Sequence, residues 1–149
     1  MKIKQLDHLN MTVANLAESL RWYLDVFDFN TVERGTRNGY PWAVIRSGEA
    51  ILCLYEDPSR EGPAQFLKSG GDRHAVYHFG LRITDRDAWL AVVKRYKLEL
   101  EYGGEVDYPH SKSWYVFDPT GHGIEVALWN DDVIAFDPME SGPLEDRAA

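Results

Sequence analysis

The sequence predicts an α+β protein in which two tandem βαβββ modules form a curved, barrel-like mixed sheet with the helices outside. Three observations predict it. Two stretches, QLDHLNMTV at residues 5–13 and VYHFGLRI at 76–83, alternate residue character with the period of two expected of half-buried strands. Each leads into a capping residue and an apolar pattern of helical spacing. Each helix pattern is then followed by three short strand-like runs, so the second half repeats the order of the first.

In the first strand Leu9, Met11 and Val13 point one way, and Leu6, His8, Asn10 and Thr12 the other. Asn15 caps a helix whose apolar stripe is Leu16, Leu20, Tyr23/Leu24 and Phe27. Strands are expected near 29–34, 41–46 and 50–55, divided by Arg34-Gly35, Asn38-Gly39 and Ser47-Gly48 turn signals. In the second module Tyr77, Phe79, Leu81 and Ile83 share one face, and Val76, His78, Gly80 and Arg82 the other. Thr84 or Asp85 caps a helix bearing Ala88/Trp89, Val92/Val93 and Tyr96. Strands follow near 99–105, 113–118 and 123–129, with Asp118-Pro119-Thr120-Gly121 as the turn between the last two. The modules span 3–56 and 74–130 of one domain. Residues 57–73, rich in Gly, Pro and charge, read as a linker or a lid over a site. The tail, 131–149, reads as loosely ordered, with Val133, Ile134 and Phe136 available to dock.

Composition excludes several classes. Sixteen Lys and Arg against 24 Asp and Glu give a net charge of -8, the wrong sign for a nucleic-acid partner. No apolar run approaches the ~20 residues of a membrane span. The amino-terminal segment lacks a signal-like apolar region, and Cys53 is the only cysteine, so a reducing cytoplasm is expected. Five Trp and eight Tyr are available to line a pocket, fill the core or form a subunit interface.

The candidate chemistry lies on the inner face. His8 and His78 occupy equivalent positions in the first strand of each module, pointing away from the helix side. In the last strand Ile124, Val126 and Leu128 are the apolar set, which turns Glu125 inward. A carboxylate within GIEVALW is costly unless paired, hydrogen-bonded or bound to metal. Two imidazoles and one carboxylate form a facial ligand set with open positions for water or substrate. His8, His78 and Glu125 are therefore the expected metal ligands. Cys53 stands at the equivalent of Glu125 in the first module, either as a fourth ligand or as a small buried hydrophobe. His74, His110 and His122 fall in loops or at strand ends, with His110 a candidate acid/base at the pocket lip.

With LDHLNMTVANLAESLRWYLDVFDF at one end and YVFDPTGHGIEV near the other, the chain resembles the vicinal-oxygen-chelate superfamily over about residues 3–130. That superfamily includes glyoxalases, extradiol dioxygenases, fosfomycin-resistance thiol transferases and non-catalytic bleomycin-resistance proteins. The resemblance implies the glyoxalase/bleomycin resistance/dioxygenase fold, one divalent metal ion (Fe, Mn, Ni or Zn) and a homodimer. It leaves the reaction open, because the members share a scaffold and differ in chemistry. Cys53 replaces the carboxylate that glyoxalases carry there, and Asn10 the Thr of fosfomycin-resistance enzymes. Glu105 and Ile134 stand where those enzymes place phosphonate-binding cations, and Tyr108 where extradiol dioxygenases place an acid/base histidine.

The expected function is a metalloenzyme that chelates and activates a small oxygen-bearing substrate in dioxygenase-like fashion, with Tyr115, His110 and Arg82 as catalytic candidates. The alternatives are a thiol transferase or glyoxalase-like lyase, and a non-catalytic module binding small molecules in a groove of Trp42, Trp114 and Trp129. Neither nucleic acid nor membrane is an expected partner.

Overall fold

The structure, a computed structural model, describes residues 2–59 and 76–136. Most of the expected linker or lid, His74 and the tail beyond residue 136 lie outside the described residues. The first module contains β1 (Leu9–Val13), α1 (Leu16–Phe27), β2 (Asn30–Arg37), β3 (Tyr40–Ser47) and β4 (Ala50–Glu56). The second contains β5 (Phe79–Ile83), α2 (Arg86–Tyr96), β6 (Val106–Tyr108), β7 (Ser111–Phe117) and β8 (Gly123–Trp129).

Both helices begin as the caps dictate. Asn15 Oδ1 accepts from the Glu18 N–H, and Asp85, rather than Thr84, accepts from the Ala88 N–H. Asp28 and Lys97 end the helices in the left-handed conformation, their N–H groups returning to carbonyls of the last turn.

The eight strands form two four-stranded sheets, ordered β1-β4-β3-β2 and β5-β8-β7-β6, not one continuous sheet. In each, the first strand pairs in parallel with the last, from Leu9↔Leu52 to Val13↔Glu56 and from Phe79↔Ile124 to Ile83↔Leu128. Among the described residues β1 and β5 are thus sheet edges, and each strand starts later than its alternation suggests. His8 and His78 each immediately precede one.

Three sequence expectations need correction. The strand near 99–105 is a tight 3-10 turn at Glu101–Gly103 followed by the short β6. Tyr102, Gly103 and Gly104 all have positive φ (55°, 80° and 118°), which no strand accommodates. Arg34-Gly35 is no turn: Gly35 lies within β2 opposite Trp42, where a Cβ would fall 2.8 Å from the Trp42 ring. Trp114, expected in a groove, is fully buried.

The two modules share one core. Met11, Val13, Ala43, Ile45, Leu52 and Leu54 from the first sheet join Trp114, Val116, Ile124 and Val126 from the second, with Tyr23 and Trp89 from the helices. Phe27 on α1 stacks on Trp89 of α2, centroids 5.6 Å apart. The fully buried Tyr23 donates its hydroxyl to Asp118 at 3.0 Å, and the Ala14 N–H donates to Thr120 Oγ1, also at 3.0 Å. The first module is thereby tied to the turn that launches β8. Because both apolar faces serve this core, the faces carrying His8 and His78 are turned away from it.

Candidate metal centre

His78 and Glu125 meet on the outward face of the second sheet, His78 Nε2 lying 3.0 Å from Glu125 Oε2. Register explains the meeting: Glu125 pairs with Gly80, which has no side chain to intervene. Gly123 permits the close approach of the preceding backbone, since a Cβ there would lie 3.0 Å from the Tyr77 carbonyl oxygen and 3.3 Å from His78 Cβ. The fully buried Ser113 donates its hydroxyl to Glu125 Oε1 at 2.6 Å, fixing one carboxylate oxygen and leaving the other toward the imidazole. Glu125 therefore avoids an unpaired charge without using Arg82.

The pair suits a metal ion. Two cis ligand atoms on an octahedral ion with bonds of ~2.1 Å stand ~3.0 Å apart. His78 Nδ1 is buried without a hydrogen-bond partner, so polar interactions of this ring fall to Nε2. Two residues do not complete a site, however, and among the described residues no three of His, Cys, Asp and Glu gather as a metal-binding group. His8 lies instead on the surface of the first sheet, with Nδ1 2.8 Å from Asp7 Oδ2. A carboxylate on Nδ1 is the arrangement that orients an imidazole to ligate through Nε2.

The other sequence candidates divide clearly. Tyr115 is beside the pair, opposite Glu125 in the β7–β8 register, its ring edge-to-face with His78 at 5.5 Å. Burial, then the hydrogen bond with Tyr108 and the charge of Glu125, push its hydroxyl well above the ordinary tyrosine range, so it stays protonated. Tyr108, at the place of the extradiol histidine, has its hydroxyl 2.9 Å from that of Tyr115. His110 sits before the start of β7, on the order of 17 Å along an extended strand from Tyr115. Arg82 is bound to the Asp132 side chain and carbonyl. His122 Nδ1 is 2.9 Å from Asp118 in the turn. Cys53, beside Asn10 in the first sheet, has its thiol raised by burial and by the charges of Asp7 and Glu33.

Sequence reasoning missed Ser113, Tyr77 and Tyr102. Ser113 was legible as the residue two before Tyr115 on the same strand face. Tyr77, expected on the apolar face, is exposed, and no strand among the described residues pairs with the chain before β5.

Residues 5–126 match the family model described as Glyoxalase/Bleomycin resistance protein/Dioxygenase superfamily. A metallothiol transferase FosB of Staphylococcus epidermidis is 25% identical over 147 residues, 97% of this chain and 88% of that protein. The catechol-2,3-dioxygenase of Bacillus subtilis is 25% identical over 124 residues, 81% of this chain but only 40% of the dioxygenase. Among solved structures, a glyoxylase/bleomycin resistance protein/dioxygenase domain from Frankia superposes with a TM-score of 0.70 at 17% identity, covering 89% of this chain and 96% of that one.

Proposed function

We propose that this chain, which belongs to the Glyoxalase/Bleomycin resistance protein/Dioxygenase superfamily, is a cytoplasmic metal-dependent enzyme whose ligands are His78 and Glu125 of one copy and His8 of a second. The observation that carries this reading is the His78–Glu125 pair at 3.0 Å, built on an outward sheet face and joined by no third ligand among the described residues. A second copy supports completion. Among the described residues β1 and β5 are sheet edges, and Ile3 and Leu6 before β1 and Val76 before β5 are exposed apolar residues. An isologous dimer sets the β1 edge of each copy beside the β5 edge of the other, bringing His8 to the opposite copy's pair twice over.

A divalent ion bound there would supply Lewis acidity to a substrate presenting two neighbouring oxygens. The chain's own groups do the rest. Ser113 holds the Glu125 carboxylate in one orientation. Tyr115, protonated and adjacent to His78, donates a hydrogen bond to negative charge developing on substrate oxygen, and Tyr108 backs it through the shared hydroxyl contact. The dioxygenase-like reading is favoured over the phosphonate-directed thiol transferase. The adjoining cavity is lined by Tyr77, His78, Tyr102, Glu105, Val106, Asp107, Tyr108 and Tyr115, with no Lys or Arg to hold an anionic phosphonate. Elemental analysis of anaerobically purified protein tests the reading. One divalent ion per chain, lost in His78→Ala and Glu125→Ala, is expected; full metal content in either variant would overturn it.

A further inference from the structure

Next to His78 is a cavity of about 530 Å³ whose walls include Tyr77, Tyr102, Tyr108 and Tyr115 with Glu105 and Asp107. Tyr102 meets Tyr115 edge to face, centroids 5.1 Å apart and planes at 84°. Tyr115 meets His78 in the same manner at 76°. Rings set at right angles wall a box, whereas parallel rings would close into a slab. The Tyr108 and Tyr115 hydroxyls engage each other at 2.9 Å, so this part of the cavity offers ring surface more than free donors.

Lys112 and Arg86 neutralise Glu105, and Lys112 also binds Asp107, its partner across the β6–β7 register, so these carboxylates are paired with cations on the strand face opposite Tyr108 and Tyr115. The rings are what the cavity presents, and aromatic ring faces attract positive charge. Tyr102 is also held at φ 55°, ψ 18°, a left-handed conformation unfavourable for a residue with a Cβ, while its ring remains exposed at the cavity. Core packing cannot account for a ring in that position.

We propose that this cavity is an aromatic cage for an organic cation of the quaternary or alkylated ammonium class. The cage is inferred from the cavity alone and stands whether or not a metal ion binds His78 and Glu125.

The test compares choline with 3,3-dimethylbutan-1-ol, its neutral isostere, by calorimetry on the full chain, with and without added Mn(II). Choline is expected to bind one per chain and at least ~10-fold more tightly than the isostere, the ratio that cation–π attraction supplies in a partly desolvated site. Tyr102→Gly, which removes the ring together with its backbone strain, is expected to weaken choline about tenfold without lowering the thermal midpoint. Equal affinity for the two probes, no choline binding up to about 10 mM, or unchanged affinity in Tyr102→Gly would each overturn the cage. None of these results touches the metal content that tests the proposed function.

Discussion

Replacing Tyr23 with Phe removes one oxygen from the centre of the molecule and leaves the ring in place. The ring's edge-to-face contacts with Trp22 and Phe29 are retained, so the change reports the hydrogen bond to Asp118 and little else. A hydrogen bond to a charged group contributes about 1.5–3 kcal/mol. Asp118 keeps the Gly121 and His122 N–H groups and the His122 ring as partners, so the loss belongs at the lower end, about 1.5–2 kcal/mol. For a chain of this length each kcal/mol moves the midpoint by ~2–4 °C, giving a fall of ~3–8 °C. Urea unfolding followed by tryptophan fluorescence, alongside calorimetry, measures it. An unchanged or raised stability would refute the claim that this bond ties the first module to the turn that launches β8.

Gly35→Ala would thrust a Cβ to within 2.8 Å of the Trp42 ring, and a loss of about 1–3 kcal/mol with a shifted tryptophan emission is expected in urea melts. Gly123→Ala presses on the His78 Cβ and the Tyr77 carbonyl, so metal affinity should drop at least ~10-fold, a misplacement effect read by competition with a chelating dye. Tyr102→Gly should be at least as stable as wild type and more stable than Tyr102→Ala by about 1 kcal/mol, because only glycine occupies that backbone conformation freely. Hydrogen bonding by Lys112, then by Arg86, holds the Glu105 carboxyl below its usual range. The folded state therefore binds this proton less readily than the unfolded chain, and the stabilisation, complete above the ordinary glutamate value, disappears as pH falls through the lowered one. The stability difference between wild type and Glu105→Gln should accordingly shrink between pH 6 and pH 3 in urea titrations.

The order of elements was legible because periodicity, caps and turn residues agreed in both halves. Asn15 and Asp85 announce the helices, and Asn38-Gly39, with φ of 53° and 85°, announces the β2–β3 hairpin. What the sequence hid was pairing. Strand alternation shows which way His8 and His78 point, but not whether β1 and β5 find each other within one chain, and among the described residues each is a sheet edge. Glu125 was legible as a carboxylate on the strand face opposite Ile124, Val126 and Leu128, whereas its hydrogen bond with Ser113 depended on cross-strand register. Gly35 looked like a turn because close approach to a ring and a left-handed turn call for the same residue. Tyr102 was invisible to period-two reasoning, since it projects from a 3-10 turn.

Mixing two variants, His8→Ala and His78→Ala, tests the central claim most directly. In the proposed dimer each variant alone would lack one ligand at both sites, while a mixed dimer would pair the intact His8 of one copy with the intact His78 and Glu125 of the other. After subunit exchange at equal amounts, half the dimers are mixed and each regains one of its two sites, so metal binding should return to roughly a quarter of wild type. Metal binding that stays at the level of the separate variants, despite proven exchange, would contradict a centre shared between copies.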